Sequence, residues 1–267
     1  MRHLDLFSGI GGFALAASWA WPEHKIMSFC EKDTFCQQVL KKHWPEVPIE
    51  SDIFKLDGSK YGKVDLLTGG FPCQPFSTAG KRRGKKDDRH LWPEMFRVIK
   101  QAKPTWIIGE NVAGIINMEL DQVFTDLEVA GYATQSFIIP ACAVRAPHKR
   151  ERVWVCVNFR GNPDHKQRTI FKNTNFMGKA GQNNKFNFWG QFNRTHEFRT
   201  QKGANASFES TFCRNDNGVS GRLDRLKSLG NAIVPQVVYE IFKSIKQFEE
   251  NNQHSGERKR LIIKPLF

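Results

Sequence analysis

The feature that most constrains this chain is an alternation of strand-like and helix-like segments over its first 158 residues. Short apolar runs predict strands at residues 2–7, 25–30, 64–68, 105–109, 135–139 and 152–158. Apolar residues at helical spacing predict helices at residues 12–19, 34–43, 91–101 and 120–130. Because β–α repeats build parallel sheets, the pattern predicts an α/β fold, with a mostly parallel sheet covered by helices on both faces.

A glycine-rich turn joins the first predicted strand to the first predicted helix. Residues 5–13 read Asp-Leu-Phe-Ser-Gly-Ile-Gly-Gly-Phe, and glycine lets a backbone approach a ligand closely. Glu31 ends the next predicted strand, where an α/β fold can hold an acid that binds a ribose diol. The turn therefore favours a nucleotide-like ligand, although turns of this kind also occur as plain connections.

A cysteine follows another predicted strand. Residues 69–77 read Gly-Gly-Phe-Pro-Cys-Gln-Pro-Phe-Ser, directly after the apolar segment 64–68. Glycine allows tight turns and proline fixes φ, so Cys73 is predicted to lie in a rigid turn at the carboxyl end of a strand. Sites of open α/β sheets form at that edge. A single cysteine taken alone is more often a buried structural residue.

These segments resemble the motifs of the cytosine-5 DNA methyltransferases of the bacterial or phage type. Besides residues 5–13 and 69–77, the segments 109–112, 150–152 and 230–232 match in the family's order. The resemblance covers residues 1–158 and about 222–245. It implies a Rossmann-like S-adenosylmethionine-dependent methyltransferase domain with a small target-recognition lobe.

The resemblance implies that several parts of the chain bind S-adenosylmethionine. Phe7 would stack on the adenine. Asp52 matches the family acid that contacts the adenine amino group, although a helix cap or a solvated loop acid is an alternative. The residues that would line the methionine moiety are Gly9, Ile10, Gly11 and Gly12. The other expected cofactor-binding residues are Glu31, Ile53, Pro72, Leu91, Asn231 and Ile233.

The resemblance also implies the catalytic groups. Cys73 would add as a thiolate to carbon-6 of cytosine, so that electron density reaches carbon-5. Glu110 would neutralise the negative charge that this addition creates near ring nitrogen-3. Asn111 belongs to the same motif and is expected to be catalytic. The structural alternative for Glu110 is an acid at a helix N-terminus.

Two arginines precede the last strand of the first region. Arg152 matches the family arginine that donates to the cytosine carbonyl oxygen, and Arg150 matches its companion near the active site. A solvated basic edge is the alternative. Where the family more often has glutamine, this chain has His148, whose role the resemblance leaves open.

A strongly basic segment follows Cys73. Residues 80–90 resemble the family's catalytic loop, which closes over DNA whose cytosine has been flipped out of the helix. Lysine and arginine there suit phosphate contacts, whereas most charge runs in proteins are simply solvated. The residues expected to bind DNA are Gln74, Ser77, Lys81, Arg82, Arg83, Lys85 and Lys86.

The β–α pattern is lost at residue 161. Residues 161–222 contain ten Lys or Arg against four acids, with interleaved aromatic residues, and helical spacing returns at 226–234 and 236–246. We therefore predict four regions. They are a first catalytic part at 1–158, a target-recognition region at 159–222, a closing catalytic part at 223–248 and a tail at 249–267 that frays.

Composition narrows the class of partner and the compartment. The net charge of +13 favours a polyanion, although ordinary solubilising charge is an alternative. The six cysteines form no Cys-x-x-Cys pair, so we expect no metal site, no disulfide and a reducing compartment. No apolar run approaches the ~20 residues of a membrane span, and no secretory leader is apparent.

We therefore expect a DNA (cytosine-5-)-methyltransferase that acts on double-stranded DNA in the cytoplasm of a bacterial or phage-infected cell. We expect a monomer without a membrane partner, and any cognate restriction endonuclease would act separately. The alternatives are a tRNA-methylating member of the family, a nucleic-acid-binding module without catalysis, and a nicotinamide-dependent oxidoreductase. The sequence of residues 159–222 does not reveal the DNA target, because base contacts depend on side-chain placement.

Overall fold

The computed structural model describes residues 1–72, 90–146, 148–159 and 222–255. Within these ranges the strands are β1 (Arg2–Leu6), β2 (Lys25–Cys30), β3 (Ile49–Glu50), β4 (Leu66–Gly69), β5 (Trp106–Val112), β6 (Tyr132–Pro140) and β7 (Glu151–Phe159). The α-helices are α1 (Gly12–Ala20), α2 (Thr34–His43), α3 (Trp92–Ala102), α4 (Leu120–Val129), α5 (Arg222–Asn231) and α6 (Pro235–Ser255). Single 3₁₀ turns lie at Gly58–Tyr61, Ala113–Asn117 and Ala141–Val144.

All the described strands form one sheet in the order β3-β2-β1-β4-β5-β7-β6. The pairs from β3 to β5 are parallel, and β7 is antiparallel to both of its neighbours. The predicted mostly parallel sheet is therefore confirmed. The strand order reverses between β1 and β4, and such a switch point opens a crevice at the carboxyl ends of the strands.

Helices cover both faces of the sheet, as predicted. Successive side chains of a strand point to opposite faces, so Leu66 and Leu67 belong to different cores. One core joins the strands to α3 and α4 and includes Leu4, Leu6, Leu67, Met95, Ile99, Ile107, Val123 and Leu127. The other joins the strands to α1 and α6 and includes Ala16, Ala17, Leu66, Trp106, Ile108, Trp154, Val238 and Phe242.

Local signals explain where the first helices begin and end. Gly11 precedes α1 with a φ of 85°, a conformation that glycine adopts readily. The carboxylate of Asp33 caps α2 by accepting hydrogen bonds from the backbone N–H groups of Phe35 and Cys36. α2 ends at His43, as predicted. These caps fix the loops that leave β1 and β2.

The structure corrects the sequence-based boundaries at several points. β5 continues through Val112, so Glu110 and Asn111 lie within the strand and not after it. α5 begins at Arg222 and ends at Asn231, so residues 232–234 are not helical. The two-residue strand β3 was not predicted, because a run so short carries no periodicity.

The expected fraying from Glu249 is wrong for the residues described. α6 continues to Ser255, and Glu249 accepts a hydrogen bond from the indole N–H of Trp106 at 2.8 Å. Residues 249–255 therefore extend the closing helix.

The chain divides into two compact units. Of the described residues, 1–159 and 231–255 belong to the first unit and 222–230 to the second. No helix among the described residues is long and apolar enough to cross a membrane.

Candidate active site

The carboxyl ends of β1, β4 and β5 place three of the predicted motifs at one edge of the sheet. The glycine turn follows β1, the segment 70–72 follows β4, and Glu110 lies near the end of β5. β4 pairs in parallel with both β1 and β5, so these three ends are neighbours. This is the edge at which the reversal of strand order opens a crevice.

The glycine turn has an unusual backbone that its neighbours hold closely. Phe7, Gly9 and Gly11 have φ values of 52°, 53° and 85°. A methyl group added at Gly11 would lie 2.5 Å from the Trp44 ring, and one added at Gly12 would lie 2.6 Å from Cγ1 of Ile233. Trp44 and Ile233 therefore press directly on the turn, so larger residues than glycine do not fit at 11 and 12.

Gly9 differs from these two glycines because it faces open space. Among the described residues, and apart from its two neighbours in the chain, no heavy atom lies within 4 Å of the position that the Cβ of residue 9 would occupy. The turn is thus tightly packed on its protein side and open at Gly9. An opening lined by backbone at the end of β1 suits a ligand that approaches the main chain closely.

Glu31 is fixed beside this opening. Its Oε2 accepts a hydrogen bond from the backbone N–H of Gly9, and its Oε1 accepts one from the N–H of Asp33, both at 2.7 Å. These bonds orient the carboxylate. Because each carboxylate oxygen can accept more than one hydrogen bond, Glu31 can still accept hydrogen bonds from a ligand. The structure thus brings Glu31, an expected cofactor-binding residue, to the glycine turn.

The remaining residues expected to bind the cofactor have varied surroundings. Asp52 caps its own turn by accepting from the N–H of Phe54 at 3.0 Å, and its side chain is 38% exposed. The Ile53 side chain is only 6% exposed and packs in the core. Leu91 is half-buried against the same core, and Pro72, Ile10 and Ile233 are also half-buried, while Asn231 is exposed.

Glu110 forms the charged centre of the site. The residue is 8% exposed, and Nε of Arg152 lies 2.9 Å from its Oε1. Its Oε2 faces Gly70, where an added methyl group would lie 3.4 Å away. The Glu110 carboxyl therefore lies between an arginine of β7 and the backbone that leads from β4 towards residue 73.

Burial and nearby positive charges have opposite effects on the pKa of the Glu110 carboxyl. Burial raises the pKa of its carboxyl above the ordinary value, and the charges of Arg152 and Arg150 lower it in part. The raised pKa brings the protonated form closer to neutral pH. A carboxyl in this situation can hold a proton and release it, which is the requirement for general acid–base chemistry.

Asn111 ties β5 to the segment after β4. Its side-chain amide donates a hydrogen bond to the carbonyl of Phe71 at 2.9 Å, and its Oδ1 accepts one from the N–H of Val112 at 2.9 Å. Asn111 is buried. The residue thus positions the backbone that approaches residue 73.

Arg150 stands immediately before β7, and its guanidinium donates a hydrogen bond to the carbonyl of Ala232 at 2.9 Å. His148 is exposed. Several predicted site residues lie outside the described residues, namely Cys73, Gln74, Ser77, Lys81, Arg82, Arg83, Lys85 and Lys86. The target-recognition region also lies outside them, except for Phe159 and Arg222.

A row of buried, hydrogen-bonded polar side chains near the glycine turn was not predicted from the sequence. His3 Nε2 and Thr68 Oγ1 lie 2.6 Å apart, and the Thr68 hydroxyl donates to Oδ1 of Asp5 at 2.6 Å. All three residues are fully buried, and burial raises the pKa of Asp5 and lowers that of His3. The chain joins β1 to β4 at the switch point. The available signal was the presence of polar residues at positions 3 and 5 of an apolar strand.

The fold is that of a Rossmann-like methyltransferase, and solved structures share it. DNMT2 from Spodoptera frugiperda is 26% identical with a TM-score of 0.52, and the match covers 60% of this chain and 50% of that one. The S. pombe Dnmt2 methyltransferase is 22% identical with a TM-score of 0.53, over 61% of this chain and 52% of that one. The second likeness is evidence for the fold alone.

Sequence comparison identifies the family. The profile described as C-5 cytosine-specific DNA methylase matches residues 1–217, and the chain belongs to this family. The type II methyltransferase M.PspPI of a Psychrobacter strain is 40% identical over 158 residues, which are 56% of this chain and 38% of the relative. M.Eco47II of Escherichia coli is 35% identical over 161 residues, which are 56% of this chain and 37% of that relative. The matches thus span about two fifths of the length of these relatives.

Proposed function

We propose that this chain is a DNA (cytosine-5-)-methyltransferase that acts on a flipped cytosine through a covalent adduct with Cys73. The observation that carries the proposal is the buried Glu110 carboxyl, with its raised pKa, between Arg152 and the backbone leading to residue 73. Family membership supports the reaction class. The family description, which names DNA, supports DNA as the substrate.

The glycine turn fits S-adenosylmethionine, which supplies an electrophilic methyl group when it is bound. The open space at Gly9 gives a ligand access to the backbone. Glu31 is oriented beside that space and can accept from hydroxyl groups, which suits a ribose diol. We propose that Phe7 to Gly12, Glu31 and the segment around Ile233 hold the cofactor. Asp52 and Leu91 are the proposed contacts at its adenine end.

We propose that Cys73 is the nucleophile. Its thiolate would form a bond to carbon-6 of cytosine, the carbon-5=carbon-6 π electrons would move towards carbon-5, and charge would spread to ring nitrogen-3. Two described thiols are poor alternatives, because burial raises the pKa values of Cys30 and Cys156 to about 12. The hydrogen bond from Asn111 to Phe71 supports a fixed approach to residue 73.

Glu110 and Arg152 would stabilise the activated base. A protonated Glu110 can donate to ring nitrogen-3 as charge builds there, and the raised pKa favours that form. Arg152 lies against the same carboxyl and can donate to the carbonyl oxygen of the base. The two groups together would match the hydrogen-bonding edge of a cytosine outside the helix.

We propose that the basic residues from Lys81 to Lys86 contact DNA phosphates and that residues 159–222 select the target sequence. The net charge of +13 supports a polyanionic partner. The excess of basic over acidic residues and the interleaved aromatic residues in 161–222 support a role in nucleic-acid recognition.

The test is to map 5-methylcytosine in DNA and tRNA from bacterial cells that lack cytosine methylation and express this chain. We expect methylation at one recurring duplex sequence. Cys73→Ser should abolish it, because a hydroxyl ionises far less than a thiol at neutral pH. Cys142→Ser is the matched control at a half-buried cysteine and should methylate normally.

A second arm uses duplex DNA with 5-fluorocytosine at the mapped target. Fluorine replaces the hydrogen that must leave carbon-5 as a proton before the enzyme is released. The enzyme should therefore remain covalently bound to the DNA, in a band that survives denaturing electrophoresis and requires Cys73. Modification of tRNA with unmodified DNA would transfer the chain to the tRNA-methylating branch. Methylated DNA without any adduct would contradict the covalent mechanism.

A further inference from the structure

Arg150 has contacts that its place in the arginine motif does not require. It lies just before β7 with a φ of 29°, which is rare for a residue with a side chain. Its Nη2 group donates a hydrogen bond to the carbonyl of Ala232, 82 residues later in the chain. Unusual backbone conformations persist where their surroundings hold them, so this contact has a structural purpose.

The carbonyl that Arg150 binds belongs to the segment that packs on the glycine turn. Ile233 follows Ala232 directly. The Cγ1 atom of Ile233 lies 2.6 Å from the position that a methyl group added at Gly12 would occupy. Ile233 and Val234 also pack against the core of α1 and α6, and the N–H of Val237 bonds to the carbonyl of Val234 at the start of α6. The position of Ala232 therefore affects how Ile233 meets the turn.

The Arg150 guanidinium also interacts electrostatically with the Glu110 carboxyl. Burial and the neighbouring charge of Arg152 lower the pKa of Arg150, and Glu110 raises it in part. Conversely, the charge of Arg150 lowers the pKa of Glu110. Arg150 is half-buried, and its one contact described above is the hydrogen bond to the segment that packs on the glycine turn.

We propose that Arg150 is a positioning residue of the cofactor site, which holds residues 232–234 against the glycine turn. In this role its Nη2 group binds the protein backbone. The inference rests on the proposed function, because it takes the glycine turn as the cofactor site. It predicts that loss of Arg150 weakens cofactor binding even when no DNA is present.

The experiment measures the dissociation constant of S-adenosylhomocysteine by calorimetry on the full chain without DNA. Arg150→Met removes the donor while keeping an unbranched side chain, and we expect a constant about tenfold higher, the effect of losing one charge-assisted hydrogen bond. Lys149→Met removes the same charge from the neighbouring exposed residue, which pairs only with Glu151 among the described ion pairs. Its constant should stay within about twofold of the wild type.

Two further readouts separate positioning from a general loss of folding. Hydrogen exchange of the apo protein should rise in residues 231–238 of Arg150→Met and remain normal in α3 and in Lys149→Met. In methyl transfer, KM for the cofactor should rise more than kcat falls. If Arg150→Met does not fold, Arg150→Lys replaces it, and the expected increase in the constant is about threefold.

A DNA-free dissociation constant within twofold of the wild type in Arg150→Met, or in its lysine replacement, would overturn the inference, whatever happens to turnover. Unchanged exchange in residues 231–238 would do the same. A wild-type chain that does not bind S-adenosylhomocysteine would instead refute the proposed cofactor, and one that binds it but methylates nothing would refute the proposed reaction.

Discussion

At the scale of single residues, Glu110 shows how burial and charge compete. Removal from water favours the neutral carboxyl, while Arg152 and Arg150 favour the carboxylate. The balance leaves the pKa raised. A group that only formed an ion pair would have its pKa lowered, so the arrangement is more useful for proton transfer than for stability.

Glu110→Gln keeps the shape of this side chain and removes its exchangeable acid proton. We expect turnover to fall by about a hundredfold or more, since general acid–base catalysis contributes about 10²–10⁴-fold. The cofactor dissociation constant should change by less than about twofold. The measurement is single-turnover methyl transfer, with Glu94→Gln as the control at a glutamate that pairs with Arg97 on α3. Equal rates in the two variants would contradict the role of Glu110.

The same variant reports on the pKa through stability. Because the folded-state pKa of Glu110 is raised above the ordinary 4.5, its carboxyl favours folding fully below about pH 4.5. This contribution is lost as the pH rises through the folded-state pKa. Urea unfolding should therefore show a smaller decrease in unfolding free energy above pH 4.5 for Glu110→Gln than for the wild type. Parallel pH curves would mean that burial does not dominate.

Substitutions of Gly9 and Gly11 should have different effects on folding stability and on cofactor binding. Gly9→Ala and Gly11→Ala both place a side chain at positive φ, which costs roughly 1–2 kcal/mol. Only Gly11→Ala also collides with Trp44, and overpacking adds about 1–3 kcal/mol. We expect Gly11→Ala to be the less stable variant by urea unfolding. Gly9→Ala should remain folded but lose cofactor affinity in calorimetry, because its methyl group fills the open space. Equal stabilities, or normal binding by Gly9→Ala, would be inconsistent with this account.

The sequence could name Glu110 and Arg152 but not their contact. The two residues are far apart in the chain, and they meet because Val112 lies opposite Arg152 in the antiparallel pair of β5 and β7. Local patterns of apolar residues do not encode the direction in which a strand runs. The packing of the Trp44 ring against Gly11 was not predicted, because nothing in the local sequence indicates that contact.

At the scale of elements, α6 shows where composition misled the prediction. The residues from Glu249 onwards are polar, which suggested a fraying end. The apolar positions 238, 241, 242, 245 and 248 nevertheless keep helical spacing, and Glu249 gains a partner in the buried indole of Trp106. A contact between residues 143 positions apart cannot be read from a local window.

Glu249→Ala should lower the free energy of unfolding by about 1–3 kcal/mol, because the N–H of Trp106 is left buried without an acceptor. Glu249→Gln keeps an acceptor and should lose less. Since burial raises the pKa of Glu249, the wild type should lose stability relative to Glu249→Gln as the pH rises above about 4.5. Urea unfolding followed by tryptophan fluorescence measures both effects, with Gln247→Ala as the control on an exposed residue of α6. Identical curves for Ala and Gln would show that the hydrogen bond contributes nothing.

At the scale of the whole molecule, the alternating pattern was sufficient for the fold class because parallel strands require crossover helices. The same pattern could not give the reversal of β7 or the division of the chain at residue 231. The neighbouring positions of the motifs at the carboxyl edge follow from the strand order. The charge of the molecule is a separate property, since +13 does not determine where a polyanion would bind.

The position of the basic residues therefore has to be tested against an equal loss of charge elsewhere. Lys81→Gln with Lys85→Gln should weaken DNA binding and reduce the slope of log affinity against log salt by about one for each phosphate that is no longer neutralised, so by up to about two. Lys41→Gln with Lys42→Gln removes the same charge from two exposed residues in the last turn of α2 and should leave the slope nearly unchanged. The measurement is fluorescence anisotropy with duplex DNA of the mapped target at several salt concentrations. Equal slopes for the two double variants would mean that net charge alone, and not the segment after Cys73, determines the affinity for DNA.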